Sequence, residues 1–152
     1  MKKTALALAL VLGSLPAFAD VTVADAWVRA TVAQQKATGA FMQLKSDRAA
    51  RLVAAASPLA GVVEIHEMRM EGEVMRMNPV AALDLPAGET VELKPGGYHV
   101  MLLDLKQQVK AGDEVPLSIV IEQANGERRT IELKVPACPL NAVAGGHRHG
   151  QH

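Results

Sequence analysis

Cysteine is nearly absent from this chain of 152 residues, in which Cys138 is the one cysteine. A disulfide within the chain needs two cysteines, so the fold must rely on its core rather than on covalent cross-links. The same count excludes zinc sites and thioredoxin-like redox motifs that are built on cysteine pairs.

An excess of one charge sign is absent as well. The chain has 16 Lys and Arg against 16 Asp and Glu, and the two signs are interspersed rather than gathered in blocks. Without Lys2 and Lys3, which belong to the leader described next, 14 basic residues face 16 acidic ones, a formal charge of −2. Proteins that bind nucleic acid or anionic membranes usually carry a basic surface, so we expect neither partner.

Only one sizeable hydrophobic run occurs, and it lies near the N-terminus. Lys2 and Lys3 precede the apolar segment Thr4–Leu12, and residues 17–19 read Ala-Phe-Ala, the small-x-small pattern of a cleavage site. The run is too short to cross a bilayer as a helix. It predicts a signal peptide over residues 1–19 and an exported mature chain that begins at Asp20. Because no cysteine lies at the cleavage point, we predict a soluble periplasmic protein without a membrane anchor.

The 133 residues after the leader suffice for one domain with a substantial core. They alternate short apolar runs with clusters of Gly, Pro, Asp or Asn, which is typical of β-strands joined by turns. Short strands at close spacing favour a sandwich or a barrel, so the predicted fold class is all-β. The predicted strands are Val21–Val28, Gly39–Leu44, Arg51–Ala55, Val62–Met70, Val74–Val80, Thr90–Leu93, Tyr98–Leu105, Val115–Glu122 and Thr130–Val135. We expect this β-domain to cover residues 20–136.

A hairpin is predicted between the last two strands, because Asn125-Gly126 is a strong turn signal. The alternating apolar residues of the two strands share one face when the loop is centred on Gly126. The predicted register sets Leu117, Ile119 and Ile121 opposite Val135, Leu133 and Ile131, respectively.

Methionine and histidine crowd into the stretch 64-EIHEMRMEGEVMRM-77, which holds four of the chain's seven methionines. If Glu71-Gly72 forms a two-residue turn, this stretch is a second hairpin. The predicted pairs are Met70 with Glu73, Met68 with Met75 and His66 with Met77 on one face, and Glu67 with Arg76 on the other. Opposite Cβ atoms lie roughly 4.5–5.5 Å apart, so one ion can bridge such a pair.

A second histidine and methionine lie in the stretch 97-GYHVMLLDLK-106. His99 and Met101 are two apart on a predicted strand, so their side chains leave the same face. Two imidazoles and two thioethers can then converge from separate strands, and thioether sulfur is a soft donor that suits Cu(I). Cys138 lies near the C-terminus with no methionine after it, so a blue copper site with a His₂Cys ligand set is excluded.

The spacing of these donors resembles that of the periplasmic copper chaperones of the PCuAC type. His66, ten residues, Met77, twenty-one residues, His99, one residue and Met101 reproduce the signature of that family. The tripeptide His66-Glu67-Met68, the segment Gly97–Lys106 and Ala26–Arg29 are similar to it as well, and the likeness extends to about Val135.

The resemblance implies a cupredoxin-like Greek-key β-barrel with a Cu(I) site near its surface. The ligands that it implies are His66, Met77, His99 and Met101. It further implies delivery of copper towards the CuA centre of cytochrome c oxidase. The implied partner is a copper-accepting protein such as the CuA subunit or a Sco-type copper chaperone.

Core packing explains some of the neighbouring residues without metal binding. Methionine is flexible and often fills gaps in a core, so we expect Met70 and Met75 to line the site without binding metal. Met68 is an accessory ligand candidate. Trp27 is expected in the core, and Tyr98 should point away from His99.

The C-terminal segment 137–152 is predicted to be a flexible tail. It holds the other three histidines, His147, His149 and His152, as accessory ligand candidates that suit Cu(II) or Zn(II). A merely solubilising tail is the alternative.

An enzyme is not expected, because Ser118 and Cys138 have no neighbouring histidine in sequence and no acid–base cluster appears. Two classes of protein compete with a copper chaperone. A copper sequestration or resistance protein has the same site but no dedicated acceptor, and a structural export domain binds no copper.

Overall fold

The structure is a computed structural model, and it describes residues 18–139 and residue 141. Within that range the chain forms ten β-strands and no α-helix, which confirms the predicted all-β class. No helix in the described range has the length and apolar character that crossing a membrane requires. The strands are β1 (Val21–Arg29), β2 (Ala37–Ser46), β3 (Ala50–Ala56), β4 (Ala60–Glu71), β5 (Val74–Pro79), β6 (Leu83–Leu85), β7 (Thr90–Leu93), β8 (Tyr98–Leu105), β9 (Glu114–Gln123) and β10 (Arg128–Cys138).

All nine predicted strands are present, and the sequence pattern missed only β6 within the described range. The three residues of β6 pair with the start of β3, where Ala50 lies opposite Leu85 and Leu52 opposite Leu83. A strand of three residues is too short to show an alternating pattern of its own, so its partner strand decides its conformation.

The strands follow one another through hydrogen-bonded pairs in the order β5-β4-β8-β2-β1-β10-β9-β3-β6, and β7 pairs with β2. β1 and β10 run parallel, with Val28 beside Ala137, whereas the other pairs are antiparallel. Neighbours in space are therefore often distant in sequence. β4 and β8 lie side by side, although three strands separate them along the chain.

One hydrophobic core fills the inside of this sheet, and alternate residues of every long strand supply it. In β4 and β8 these are Ile65, Val100 and Leu102, and the last two are fully buried. The far side of the core includes Leu117 and Ile119 of β9. Burying such side chains contributes about 1.5–3 kcal/mol each. The residues between them, which include His66 and His99, therefore point to the other face of the sheet.

The predicted register of the β9–β10 hairpin was wrong by two residues. Leu117 pairs with Leu133 and Ile119 with Ile131. The loop is closed by the Gln123 N–H, which donates to the Glu127 carbonyl at 2.8 Å, and Gly126 takes a φ of 85°. The apolar residues nevertheless keep their predicted face, because a shift of two preserves the alternation.

Strand β10 continues to Cys138, two residues beyond the predicted end of the β-domain at residue 136. The Ala30 N–H donates to the Cys138 carbonyl at 2.8 Å, so this end of the chain is part of the sheet. The tail histidines His147, His149 and His152 lie outside the described residues, as does most of the predicted signal peptide. Of the leader, Phe18 and Ala19 are described, and the Ala19 N–H donates to Gln123 Oε1 at 2.6 Å.

Candidate metal centre

The β4–β5 hairpin turns at Gly72-Glu73, and the predicted turn at Glu71-Gly72 was wrong. Glu71 pairs with Val74, and Gly72 takes a φ of 66° as the first of the two turn residues. Type II′ turns place glycine at this first central position, which explains why the turn forms at Gly72-Glu73 and not at Glu71-Gly72. The register is thus shifted by two residues from the prediction.

The shift changes the partner of each methionine but not its face. Met68 lies opposite Met77, and Met70 lies opposite Met75. The predicted pairing of His66 with Met77 was therefore wrong, since Pro79 lies opposite His66 on β5.

The charged face of the hairpin also differs from the prediction. Arg69 lies opposite Arg76, so Glu67 does not pair with Arg76. Two other ion pairs replace the predicted one: Arg69 contacts Glu67 along β4 at 3.2 Å, and Arg76 of β5 contacts Glu71 of β4 at 2.9 Å. This face is polar and solvated, as predicted.

The two histidines are brought together by the pairing of β4 with β8. His66 lies directly opposite His99, and their ring centroids are 5.7 Å apart. Glu64 lies opposite Met101 one step along the same face. The four predicted ligands therefore meet on one face of the β5-β4-β8 strip.

A cavity of about 220 Å³ opens on this face, and Met68, Met77, His99 and Met101 are among its lining residues. His66 lies beside it against the His99 ring. The imidazoles are the buried part of the site, with 9% of His66 and 4% of His99 exposed, whereas Met77 is 44% exposed. The exposed fraction of the candidate ligands thus rises from the buried imidazoles to the thioether of Met77.

Aromatic rings build the wall of the site behind His99. The Phe41 and His99 centroids are 6.1 Å apart, and Trp27 packs on Phe41 at 4.6 Å. Arg29 lies over both rings, with its guanidinium carbon 5.5 Å from the Phe41 centroid. Trp27 is buried as predicted, but it supports the site rather than the main core cluster.

Gly39 of β2 keeps the cavity open beside Met101, its partner on β8. A Cβ atom at Gly39 would come within 2.9 Å of the Phe41 ring, closer than carbon atoms normally approach. The absence of a side chain at Gly39 therefore makes room for the Phe41 ring, and Gly39, Phe41 and Met101 all line the cavity.

One nitrogen of His66 is held by a carboxylate. His66 Nε2 lies 2.7 Å from Glu64 Oε2, and a carboxylate can only accept, so the neutral imidazole donates through Nε2. Its other nitrogen, Nδ1, is buried and has no hydrogen-bond partner among the described residues. That nitrogen keeps a free lone pair.

At His99 the roles of the two ring nitrogens are exchanged. His99 Nδ1 donates to the Gly97 carbonyl oxygen at 3.2 Å, and Nε2 is buried without a hydrogen-bond partner in the described part of the chain. A metal-binding histidine typically has its second ring nitrogen fixed in this way by a carboxylate or a carbonyl. Two buried lone pairs thus lie on adjacent strands next to two thioethers.

Burial lowers the pKa of His99 below its ordinary value of 6.5, and the nearby His66 and Arg29 lower it further, against the opposing hydrogen bond to Gly97. The neutral form, which alone has a lone pair for a metal, is therefore favoured at neutral pH.

We expect metal binding at this site to weaken as the pH falls, because protons compete for the imidazole nitrogens. Since the pKa of His99 is lowered, the loss that this residue causes begins below pH 6.5 rather than at it. An NMR titration of the His99 ring in the apo-protein measures this directly, with the guanidinium-unfolded chain as the control. A folded-state pKa equal to or above that of the unfolded chain would contradict the burial argument.

Glu64 is a candidate site residue that the sequence analysis missed. Its spacing of two from His66 on one strand was an available signal, since it places the carboxylate beside the imidazole. We expect Glu64→Ala to lower metal affinity by about 10–100-fold, because His66 loses the group that fixes its tautomer.

The control for that prediction is Glu67→Ala, on the opposite face of the same strand. The ¹⁵N shifts of the His66 ring should change in the first variant and stay constant in the second. Equal affinities in both variants would exclude a positioning role for Glu64.

The composition of the site determines which ions fit it. In the described part of the chain no group of three or more His, Cys, Asp or Glu is placed to hold a metal. Zinc prefers such ligands, whereas a site of two imidazoles and two thioethers suits a soft ion.

Residues 21–137 match the LpqE-like family, which is described as a lipoprotein family. Lxx21020 of Leifsonia xyli subsp. xyli is 31% identical over 118 residues, which cover 76% of this chain and 69% of the relative. RP573 of Rickettsia prowazekii is 30% identical over 127 residues, which cover 80% and 69% of the two chains.

Solved structures show the same fold. The chain is 30% identical to apo-DR1885 from Deinococcus radiodurans, with a TM-score of 0.55 over 90% of this chain and 97% of that one. For the Cu(I) form of DR1885 the identity is 32%, the TM-score 0.53 and the coverage 85% and 83%. The apo PmoF2 PCuAC domain has a TM-score of 0.64 at 20% identity, covering 82% of this chain and 94% of that one. The cupredoxin-like fold is thereby confirmed.

Proposed function

This chain belongs to the LpqE-like family, and we propose that it is an exported copper carrier that binds Cu(I) through His66, Met77, His99 and Met101. One observation carries the proposal: each of the two adjacent histidines has one nitrogen fixed by a hydrogen bond and the other buried without a partner among the described residues. A buried polar atom without a partner is costly in a structure unless something binds it. The thioethers beside them support a soft ion as that binding partner.

The charge of the donors favours the monovalent state of copper. Two thioethers and two neutral imidazoles carry no charge, and the guanidinium of Arg29 stands in the wall of the same cavity. A Cu(I) ion is repelled less by that cation than a Cu(II) ion is. The relationship to DR1885, which has been solved with Cu(I), supports the same choice.

The arrangement suits delivery rather than catalysis or permanent storage. Met77 is exposed at the open side of the site, where an incoming ligand can replace a weak thioether before the buried imidazoles are reached. We propose that the acceptor is a copper-binding protein outside the cytoplasm, such as the CuA subunit of cytochrome c oxidase or a Sco-type chaperone. The leader pattern at residues 1–19 and the lipoprotein description of the family support export to the periplasm.

Cu(II) capture by His147, His149 and His152 is a further part of the proposal, supported by the sequence alone. Experiments that remove this tail should cut after residue 139, because Ala137 and Cys138 belong to β10. The Ala137 N–H donates to the Asp113 carbonyl at 2.8 Å, so an earlier cut would damage the sheet as well as the tail.

X-ray absorption at the copper edge of the Cu(I)-loaded chain tests the ligand set. With one equivalent of Cu(I) we expect both nitrogen and sulfur neighbours, and a double variant, Met77→Leu and Met101→Leu, should lose most of the sulfur shell while keeping the nitrogen one. Leucine matches methionine in volume, so the variant keeps its fold. A nitrogen-only shell in the parent chain would reject the site.

Delivery is tested separately by mixing the loaded chain with an apo copper acceptor and following the metal. A carrier transfers Cu(I) faster than the ion dissociates into solvent. Transfer no faster than dissociation would instead indicate a copper store.

A further inference from the structure

A second pair of methionines extends the thioether face towards the tip of the β4–β5 hairpin. Met70 lies opposite Met75, one step beyond the Met68–Met77 pair. Met70 is 57% exposed and Met75 is 45% exposed. Both were expected only to line the site, yet neither lines the cavity in which Met68 and Met77 lie.

The tip of the hairpin, from Met70 to Met75, extends beyond the part of β4 that pairs with β8. β8 pairs with β4 only as far as Glu67, which lies opposite Tyr98. The last backbone bond to a neighbouring segment runs from the Met68 N–H to the Gly97 carbonyl oxygen at 3.1 Å. Beyond it, the backbone pairing of β4 among the described strands is with β5.

Packing does not explain these two side chains. They belong neither to the hydrophobic core nor to the residues packed against it in the described structure. Unbranched methionine is not a preferred strand residue, since β-branched and aromatic side chains fit strands better. The other face of the tip is charged, with the ion pair between Arg76 and Glu71, so the hairpin segregates thioethers from charges without burying them.

We infer that Met70 and Met75, together with Met68, form a second and weaker Cu(I) site at the tip of the hairpin. Directly opposite residues have Cβ atoms roughly 4.5–5.5 Å apart, and the next residue on the same face follows after about 6.6–6.8 Å of strand. Three flexible thioethers can therefore reach one soft ion. Met68 is shared with the wall of the histidine site, so an ion at the tip is one step from that site.

The role of this tip site in loading or unloading the histidine site rests on the proposed function, whereas its ability to bind metal does not. Thioethers are not protonated, so binding at the tip should not depend on pH.

Ag(I), a soft monovalent ion that does not change its oxidation state in air, is the probe for this proposal. The full mature chain is labelled with ¹³C at the methionine methyl groups and titrated with Ag(I) at pH 7 and at pH 5. At pH 7 the first equivalent should shift the methyl signals of Met77 and Met101, and the second should shift those of Met70 and Met75. At pH 5 the signals of Met70 and Met75 should still shift. Met42 is buried in the core and serves as the internal control.

The matched variant is the double replacement Met70→Leu and Met75→Leu, which keeps the apolar surface and removes both sulfurs. It should retain the first equivalent at pH 7 and lose the second. Signals of Met70 and Met75 that stay fixed at both pH values would overturn the tip site. Signals of Met77 and Met101 that stay fixed at pH 7 would instead overturn the histidine site, so the two failures are distinguishable.

Discussion

Replacing His99 by alanine is expected to lower the Cu(I) affinity by more than about 100-fold, since loss of a ligand should exceed the effect of losing an outer partner. The His99 Nε2 atom is buried and has no hydrogen-bond partner within the described structure. Its removal therefore deprives no described protein group of a hydrogen bond. The hydrogen bond that His99 donates to the Gly97 carbonyl is lost as well, but that carbonyl also accepts from the Met68 N–H. Competition with a Cu(I) chelator measures the change.

Tyr98→Phe is the matched control for His99→Ala, because the neighbouring residue points to the other face of β8 and packs against the core. The control should bind copper as the parent does. Circular dichroism of both variants must show a folded protein. A folded His99→Ala variant with parental affinity would remove His99 from the ligand set.

Replacing Leu102 by alanine is expected to lower the free energy of unfolding by about 2–5 kcal/mol, the usual cost of truncating a fully buried leucine. The folded variant should still bind Cu(I), because Leu102 faces the core and not the site. Denaturant unfolding of the apo-protein measures the first effect, and chelator competition under native conditions measures the second.

Met101→Leu, one residue away on β8, should show the opposite pattern. Met101 lines the cavity on the other face, so the variant should lose Cu(I) affinity and keep its stability to within about 1.5 kcal/mol. A Met101→Leu variant that unfolds easily but binds copper normally would place Met101 in the core and reverse the face assignment of β8.

The strands could be predicted from local patterns, and the face that carries the donors could be predicted with them. Thr90–Leu93 and Tyr98–Leu105 begin and end at the predicted residues. Side chains alternate with a period of two, so the two-residue errors in both hairpin registers left His66 and the methionines on their predicted face.

The cross-strand partners could not be predicted, because they depend on turn chemistry and on pairing between distant strands. A methionine at every second position looks the same after a slip of two residues, and only the preference of Gly72 for the first turn position distinguishes the registers. The contact between His66 and His99 requires β4 to pair with β8, and the local sequence contains no signal for that pairing.

The residues that support the two histidines could not be predicted either, because their positions also depend on pairing between distant strands. Trp27 of β1 and Phe41 of β2 meet only because these strands pair across a bulge, and together they form the wall behind His99. The tautomers of the two histidines depend on a carboxylate and a carbonyl oxygen whose positions require the folded backbone.

A Cu(I) titration against a competing chelator, made on the mature chain and on a chain that ends at residue 139, tests most directly whether copper binds at His66 and His99. The first chain carries all five histidines of the protein, and the second keeps only His66 and His99. We expect both chains to bind one equivalent of Cu(I) with high affinity and the His99→Ala variant to lose this binding. Binding that disappears with the tail, or that survives His99→Ala unchanged, would show that copper is held elsewhere and would contradict the site.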